Sequence, residues 1–559
     1  KQYINKEMKQ SRCIGLSICI IDSNKTLLSE GFGYADLTTK KTVTSKTIFQ
    51  IGSISKVITA IAIMQLVNKG KVSLDSSINT YIPEFSIKSH SMYQPVTIRD
   101  LLTHESGLPS DVANGCILGQ SRFSGIDTLY RIVPFIFKDL YTARPPKTSF
   151  SYSNIGFSLL GCIIERVSGQ SLSDYISDHI FMPTHMLNSS TQIDSIINND
   201  LSMSYRNNNP IPVAFIRDIP AGAYLSNADD IAQFIKMLLA KGHLNNNTIL
   251  DNSYVDTMLS CHNADIPLDL NFKIGLPFWL TNPTNIPSKI AYHIGDIPPN
   301  HSVLAILPDK QLGIAVMINS DDDPLSAVKI GLHLLEKFYE AKYGKQIGPQ
   351  KPPPSIKLNP SRLQQLAGVY TCANTIFQIS VSGDKLTMNN GSAALQLTAQ
   401  SDSIFVPKYK LFGFLPIHVD QLNDLTFGFH KIDDKELLSI RVFGISLERA
   451  VKYKVPSITN IWRKRVGNYV VINQQSIPPA EKFMKDFYYC NSCNLSIDKE
   501  SNTLLFKPDG KGIVPLQIHS DTIAITCGAG RNSGETVEAY SDSIGDYIKA
   551  WGYIFKRCK

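Results

Sequence analysis

In "FQIGSISKVITAIAIMQLVNKG" (residues 49–70), Ser53 and Lys56 stand three apart at the head of an apolar segment. At that spacing a helix puts the hydroxyl and the amine on one face, where they can meet. Val57, Ile58, Ile61, Ile63, Met64, Leu66 and Val67 cover nearly every side of the helix, the pattern of a central, buried element. A lysine held there is desolvated and its charged form is disfavoured. As a neutral amine it can take the proton of a neighbouring hydroxyl and turn the serine into a nucleophile. The same residues allow a plainer reading, in which Lys56 reaches from the first turn to solvent and Ser53 caps the helix. Spacing alone does not decide, because Ser-x-x-Lys recurs at Ser326 and Lys329, Ser382 and Lys385, and Ser496 and Lys499.

Two further segments carry groups that could serve such a nucleophile. In "SFSYSNIGFSLLGCIIERVSG", Tyr152 and Asn154 stand two apart before another apolar helix and, if extended, point to one side. Tyr152 could relay a proton to or from the serine oxygen, and Asn154 could hold a substrate amide. Read by itself, Tyr-Ser-Asn is a turn with a helix cap. In "AYHIGD", His293 and Gly295 share one face of an expected strand, and the missing side chain at Gly295 would let substrate lie against the backbone. A lone strand histidine is an ordinary half-buried residue; His293 gains meaning only from the other pieces.

The elements that must hold these groups follow from the rest of the chain. At 559 residues it is too long for one hydrophobic core. The net charge of +7 is spread among nearly as many acids, with no basic stripe suited to nucleic acid. The longest apolar run is well short of the roughly 18 residues of a membrane-spanning helix. The polar N-terminus, without Met or an apolar stretch, suits a mature or truncated chain. Ten cysteines in this length do not make a disulfide scaffold. Cys490 and Cys493 have C-x-x-C spacing without a second half-site, which leaves a local disulfide or two free thiols.

"GPQKPPPSIKLNP" (348–360) divides the chain, its consecutive prolines barring helix and central strand. Ahead of it, two strands around the turn at 22–25 open the chain, helical patterns follow, and strands return in "IAYHIGDI", "HSVLAILPD" and "LGIAVMINS" before an amphipathic helix. One antiparallel sheet built from both ends around a helical insertion is expected, an α+β domain over residues 1–347. Beyond the linker, short alternating strands repeat: "LAGVY" (366–370) recurs as "RVGNY" (465–469), and "IRVFGISLER" (440–449) as "IKAWGYIFKR" (548–557). Two similar small antiparallel β modules, each a β-barrel or a sandwich, are therefore expected over 361–455 and 456–559.

Together and in this order the pieces resemble the serine β-lactamase and penicillin-binding protein superfamily, in its class C β-lactamase, D-aminopeptidase and esterase branch. "TIFQIGSISK", "TIRDLLTHESGLP", "FSYSNIGFSLLGCIIERVSGQSLSDYI", "IPAGAYLSNADDIAQFI" and "HIGDIPPNHSVLAILPD" look like successive landmarks of it. The resemblance implies Ser53 as acylated nucleophile, Lys56 as base or proton shuttle, Tyr152 sharing the proton traffic and Asn154 touching substrate. His293 stands where many members carry lysine, and holds a substrate carboxylate less firmly. The backbone N–H groups of Ser53 and Asp296 would form the oxyanion hole. Two loops depart from the pattern: Lys147 replaces a usual glycine, and Pro299 and Asn300 replace a Pro-Gly pair. His104 and Glu105 read as structural, around a turn.

The resemblance further implies a small peptide, amide or ester as substrate, without metal or cofactor. It also suggests a periplasmic or secreted location, and it leaves a homo-oligomer open. A catalytically idle binding or scaffold protein is the competing reading, and a true β-lactamase a third. The C-terminal modules resemble lipocalin-like barrels appended to some D-aminopeptidase-like members, with a structural or substrate-gating role. "KYKLFGFLPIHVD" (408–420), long and aromatic, is the segment expected to reach the cleft.

Overall fold

Seven consecutive residues of the strand β1 (Gly15–Asp22) are buried, and their alternation sorts them onto two sides. Leu16, Ile18 and Ile20 enter one core and Cys19 and Ile21 the other, as the two-residue period of a strand requires. β1 turns through residues 22–25 into β2 (Lys25–Asp36), which pairs with the short β3 (Lys41–Thr42). On its other side β1 pairs with the last strand of the domain, Leu16 opposite Ile318 and Ile20 opposite Ile314. With β4 (Ala291–Ile297), β5 (Asn300–Leu307) and β6 (Leu312–Ile318) the sheet runs β4-β5-β6-β1-β2-β3, antiparallel throughout. The two ends of the domain therefore share one sheet.

This computed structural model describes residues 1–112, 133–191, 200–213, 216–320, 323–348, 354–390, 394–411, 415–417, 425–442, 445–453, 458–474, 490–509 and 512–558. Helices cover both faces of the sheet. On one lie α1 (Gln2–Gln10) and the closing helix Ser326–Tyr343, which packs Ile330 and Leu335 against the sheet and ends at Gly344 in the left-handed conformation. On the other lie α2 (Ser55–Asn68), α3 (Asn154–Ser168) and α4 (Ala228–Leu239). The first twelve residues of α2, Ser55 to Leu66, are all buried, so this helix is surrounded by protein.

Beyond residue 353 stand two closed barrels of eight antiparallel strands. The first runs from Gly368–Cys372 to Ile445–Lys452 and closes where Ala394–Ala399 pairs with Ile404–Leu411; Leu415–Ile417 adds a short hairpin to it. The second runs from Gly467–Val471 to Tyr553–Arg557, with Tyr469 opposite Arg557 at the closure. Each interior is filled by its own side chains, among them Tyr370, Phe377, Leu397 and Phe429 in one and Tyr469, Phe506, Leu516 and Phe555 in the other. The Gly-x-Tyr repeat has a matching structural use. Tyr370 donates to the carbonyl of Leu366 (3.0 Å) and Tyr469 to that of Arg465 (2.7 Å), each tying the first strand to the helix before it. Cys490 and Cys493 are buried and are not joined in a disulfide.

The repeat breaks at its closing arginine. Arg557 stays within its barrel, bonded to Asp546 and the carbonyl of Val466. Its counterpart Arg449 is fully buried and leaves its barrel to donate to the carbonyls of Phe150 (3.0 Å), Leu268 (2.9 Å) and Ala529 (3.0 Å) and to Asp269 (3.1 Å). One guanidinium thus joins the first barrel to the N-terminal domain and to the second barrel. Glu105 also bonds to Asp269, and burial beside that carboxylate pushes the Glu105 carboxyl up, so it stays protonated at neutral pH.

Removing one partner of a buried ion pair leaves the other uncompensated. Arg449→Met is expected to lower stability by about 3–5 kcal/mol. Arg557→Met, at a half-exposed pair, should cost about 1 kcal/mol or less. Denaturant midpoints of the two variants compare them directly, and equal shifts would contradict the central place given to Arg449.

Candidate active site

Ser53 lies in a single 3-10 turn, Gly52–Ile54, that leads into α2. Ser53 and Lys56 straddle the junction of that turn with α2, and their three-residue spacing brings them onto one side. The turn is pinned by its neighbours: the Ile51 carbonyl accepts from Ser302 (2.8 Å), the Ile51 N–H donates to Tyr224, and Ser55 donates to the Gly52 carbonyl (2.7 Å). Gly52 has φ +54°, and a Cβ there would lie 2.6 Å from the Asp296 nitrogen. Only glycine lets the Ser53 turn run so close to β4.

Gly295 has a related use, which differs from the expected one. A Cβ on it would lie 2.1 Å from both the Ile51 carbonyl oxygen and Ser302 Oγ. The space its missing side chain leaves is filled by the Ser53 turn itself, not kept open for a bound molecule.

Lys56 is completely buried, while Ser53 is half-exposed. The Lys56 amine is 3.0 Å from Ser53 Oγ, 2.7 Å from Asn154 Oδ1 and 2.6 Å from the Ala221 carbonyl. Burial, with the Arg531 guanidinium second, holds its pKa far below the ordinary lysine value. The partners then assign the roles. A carbonyl can only accept, so Ala221 takes one N–H. Asn154 Nδ2 donates to Asp111 Oδ1 (2.7 Å), a carboxylate that cannot donate, so the Asn154 oxygen faces Lys56 and takes the second. A neutral amine has no further N–H, and its lone pair is left for the Ser53 hydroxyl.

Tyr152 and Asn154 are set by the start of α3. Ser153 caps the helix, accepting from the Gly156 N–H (3.0 Å) and donating to the Pro109 carbonyl (2.7 Å). His104 holds the segment from the side: its carbonyl accepts from Ser151, its Nδ1 from the Ser153 N–H (3.0 Å), and its ring stacks on Tyr152 at 4.2 Å. Its work is positional. Lys147, where a glycine is usual, adopts the left-handed backbone (φ +59°) and donates its N–H to the Glu105 carbonyl. The Tyr152 hydroxyl hydrogen-bonds with Ser53, and the Lys56 nitrogen lies 4.7 Å from the centre of its ring. Burial raises the phenol's pKa, so Tyr152 keeps its proton at neutral pH.

His293 is fully buried, its ring 6.3 Å from that of Tyr152. Nδ1 faces the Ile294 carbonyl (2.9 Å), Nε2 has no partner, and burial pushes the pKa down to about 3. It is a neutral ring beside the tyrosine and brings no positive charge to the site.

The structure therefore gathers Ser53, Lys56, Tyr152, Asn154 and His293 into one pocket and lays the Asp296 nitrogen alongside. It also adds two residues the sequence reading missed, Asp111 and Arg531. Arg531 comes from "CGAGRNSGE" (527–535) in the second barrel, donates to Asp111 Oδ2 (2.8 Å), and lies 5.2 Å from the centre of the Tyr152 ring. Its side chain is 44% exposed. The glycines of that segment signalled a tight loop, but nothing in them told which surface it would meet. The segment expected to reach the cleft, 408–420, lies partly outside the described residues, and its described parts belong to strands Ile404–Leu411 and Leu415–Ile417.

Residues 1–336 match the beta-lactamase family. Protein flp of Staphylococcus aureus (strain MW2) is 25% identical over 331 residues, 57% of this chain and 62% of the relative. Penicillin-binding protein 4 of Amycolatopsis lactamdurans is 34% identical over 208 residues, 36% of this chain and 53% of the relative. The chain thus matches less than two thirds of the length of these curated relatives. The octameric penicillin-binding protein homologue from Pyrococcus abyssi has the same fold, with a TM-score of 0.55 at 24% identity over 81% of this chain and 98% of that one.

Because folding lowers the pKa of Lys56, the unfolded chain binds a proton there that the folded one does not, and stability rises with pH from the lowered value up to the ordinary 10.5. At neutral pH Lys56 is therefore a cost to folding. Lys56→Met is expected to abolish turnover with a melting temperature unchanged or raised at pH 7. Its advantage over wild type should shrink as pH approaches 10; an advantage that widened with pH would reverse the sign assigned to Lys56.

Proposed function

The chain belongs to the beta-lactamase family, and on that premise we propose that it is a serine hydrolase of the beta-lactamase and penicillin-binding protein type, acylated at Ser53. The observation that carries this is the setting of Lys56: a fully buried amine 3.0 Å from the half-exposed Ser53 hydroxyl, with the Asn154 and Ala221 oxygens as its other two contacts.

In the first half-reaction Ser53 Oγ attacks the substrate carbonyl carbon while Lys56 takes its proton. The developing oxyanion sits between the N–H groups of Ser53 and Asp296. As the carbon–nitrogen or carbon–oxygen bond breaks, the proton on Lys56 returns through Tyr152 to the leaving atom. Water then adds to the acyl carbon by the reverse traffic, its proton passing to Lys56 and on to Ser53 as the ester bond opens. Tyr152 suits the relay because it is protonated at rest and bonded to the nucleophile.

We read the substrates as D-amino-acid amides or peptides, peptidoglycan-derived peptides or small esters. Neutral His293 supports this over penicillin-like carboxylates, since it offers a carboxylate no cation. Slow acylation by β-lactams fits the same pocket. No described helix is long and apolar enough to cross a membrane.

A fluorescent penicillin and an activated phosphonate should each label the protein covalently and fail to label Ser53→Ala. A screen of D- and L-amino-acid amides, short esters and β-lactams should show turnover that Ser53→Ala loses. Absence of labelling by both probes together with absence of turnover would instead identify a binding or scaffold protein that has kept the cleft.

A further inference from the structure

The pocket contains a line of hydrogen bonds that starts outside the catalytic-side domain. Arg531 Nη2 donates to Asp111 Oδ2 (2.8 Å), Asn154 Nδ2 donates to Asp111 Oδ1 (2.7 Å), and Asn154 Oδ1 accepts from Lys56 (2.7 Å), whose other neighbour is Ser53 (3.0 Å). The same barrel loop grips the residue before Asp111 twice. Glu535 accepts from the Ser110 N–H (2.8 Å), and the Asn532 N–H donates to Ser110 Oγ (2.8 Å). The Ser110 carbonyl in turn accepts from the Asn154 N–H (2.9 Å). The second barrel therefore supports Asn154 through both its main chain and its side chain, at three points along two residues.

We propose that Arg531 and Asp111 are positioning residues: by fixing which end of the Asn154 amide faces Lys56, the second barrel sets Lys56 up to accept the proton of Ser53. This rests on the reading of Ser53 as nucleophile. An amide can present an acceptor or a donor. With its oxygen toward Lys56 it takes an amine N–H and leaves the lone pair for Ser53. With its NH2 toward Lys56 it would itself occupy the lone pair. Asp111 excludes the second arrangement because a carboxylate accepts at both oxygens, one from Asn154 and one from a guanidinium that can only donate.

The substitution Asp111→Asn reverses this logic at constant shape. Arg531 demands the new amide's oxygen, which turns its NH2 toward Asn154; Asn154 must then present its oxygen there and its NH2 to Lys56. Arg531→Gln in the same protein removes the demand, since a glutamine can accept as well as donate. The groups that face Lys56 are Asp111 and Arg531, Asp218 paired with Arg217, and the buried Tyr152, His104 and His293. Of these, only the first two are altered.

Asp111→Asn should lower kcat by about 100-fold, the scale of general-base catalysis, with KM nearly constant. Adding Arg531→Gln should recover about tenfold of that loss, a non-additive rescue that a merely structural pair would not give. Arg531→Gln alone should shift the acid limb of the kcat/KM profile to higher pH, because a positive charge near Lys56 is lost, and Arg531→Lys should restore it. Independently of turnover, the Lys56 resonance of 13Cε-lysine-labelled protein, assigned by its loss in Lys56→Met, should titrate higher in Arg531→Gln and lower in Asp111→Asn. Unchanged titration in both variants, or kcat in Asp111→Asn within twofold of wild type, overturns the positioning role while Ser53 labelling still upholds the hydrolase. Shifted titration in a protein that Ser53 probes do not label would keep the positioning role and remove the hydrolase reading.

Discussion

A fully buried amine with no carboxylate among its hydrogen-bond partners is the constraint around which this pocket is organised. The three hydrogen-bond partners of Lys56 are uncharged oxygens, and the attraction of Asp111 and Asp218 offsets only part of the desolvation, so the fold shifts the amine toward its neutral form. From that follow the remaining assignments. A neutral amine has two donors and one lone pair; the Ala221 carbonyl can only accept, Asp111 turns the Asn154 oxygen toward the amine, and the hydroxyl receives the role that is left. Tyr152 and His293 obey the same rule of burial: the phenol keeps its proton and the imidazole refuses one. The resting pocket thus has little charge of its own beyond the exposed Asp111, Arg531 and Asp296 at its rim.

Such an arrangement needs rigid support, and three parts of the chain supply it. The sheet holds β4 against the Ser53 turn through glycines on both sides of the contact, Gly52 and Gly295. The central helix α2 carries Lys56 at its buried end. The barrels supply the third support, with arginines as the connectors. Arg449 reaches the carbonyl of Phe150, two residues before Tyr152, and Arg144 donates to the Gly530 and Ser533 carbonyls of the barrel loop and to Ser149 (2.7 Å). The fork of a guanidinium suits this work, since one side chain can satisfy several carbonyls that neighbouring chains leave unpaired.

Much of this was legible in the sequence where chemistry is local. Ser53 with Lys56, and Tyr152 with Asn154, are each set by spacing within one element, and apolar patterning located the helices behind them. The shared sheet followed from strand patterns at both ends, and the barrels from their internal repeat. What could not be read were contacts across hundreds of residues. Asp111 follows a recognisable landmark yet owes its role to Arg531, more than four hundred residues on. The packing of Gly295 could not be read for the same reason: its neighbour is Ile51, distant in the chain. Arg531 is likewise an unremarkable glycine-bordered arginine, and nothing in its own segment announced the surface it meets.

The two barrels, alike in their repeat, have come to different tasks through one residue. Arg557 closes its own barrel, and at half exposure its ion pair adds little. Arg449, at the equivalent position, turns out of its barrel and becomes the buried junction of all three parts. The first barrel is thereby a clamp, and the second is free to lend a loop. Because the Ala529 carbonyl on that loop accepts from Arg449 while Arg531 reaches Asp111, clamp and loop are two ends of one short segment. A disturbance at the clamp therefore has only one intervening residue of backbone, Gly530, to cross before Arg531 and its contact with Asp111. Stability of the assembly and geometry of the base are in this protein the same set of hydrogen bonds.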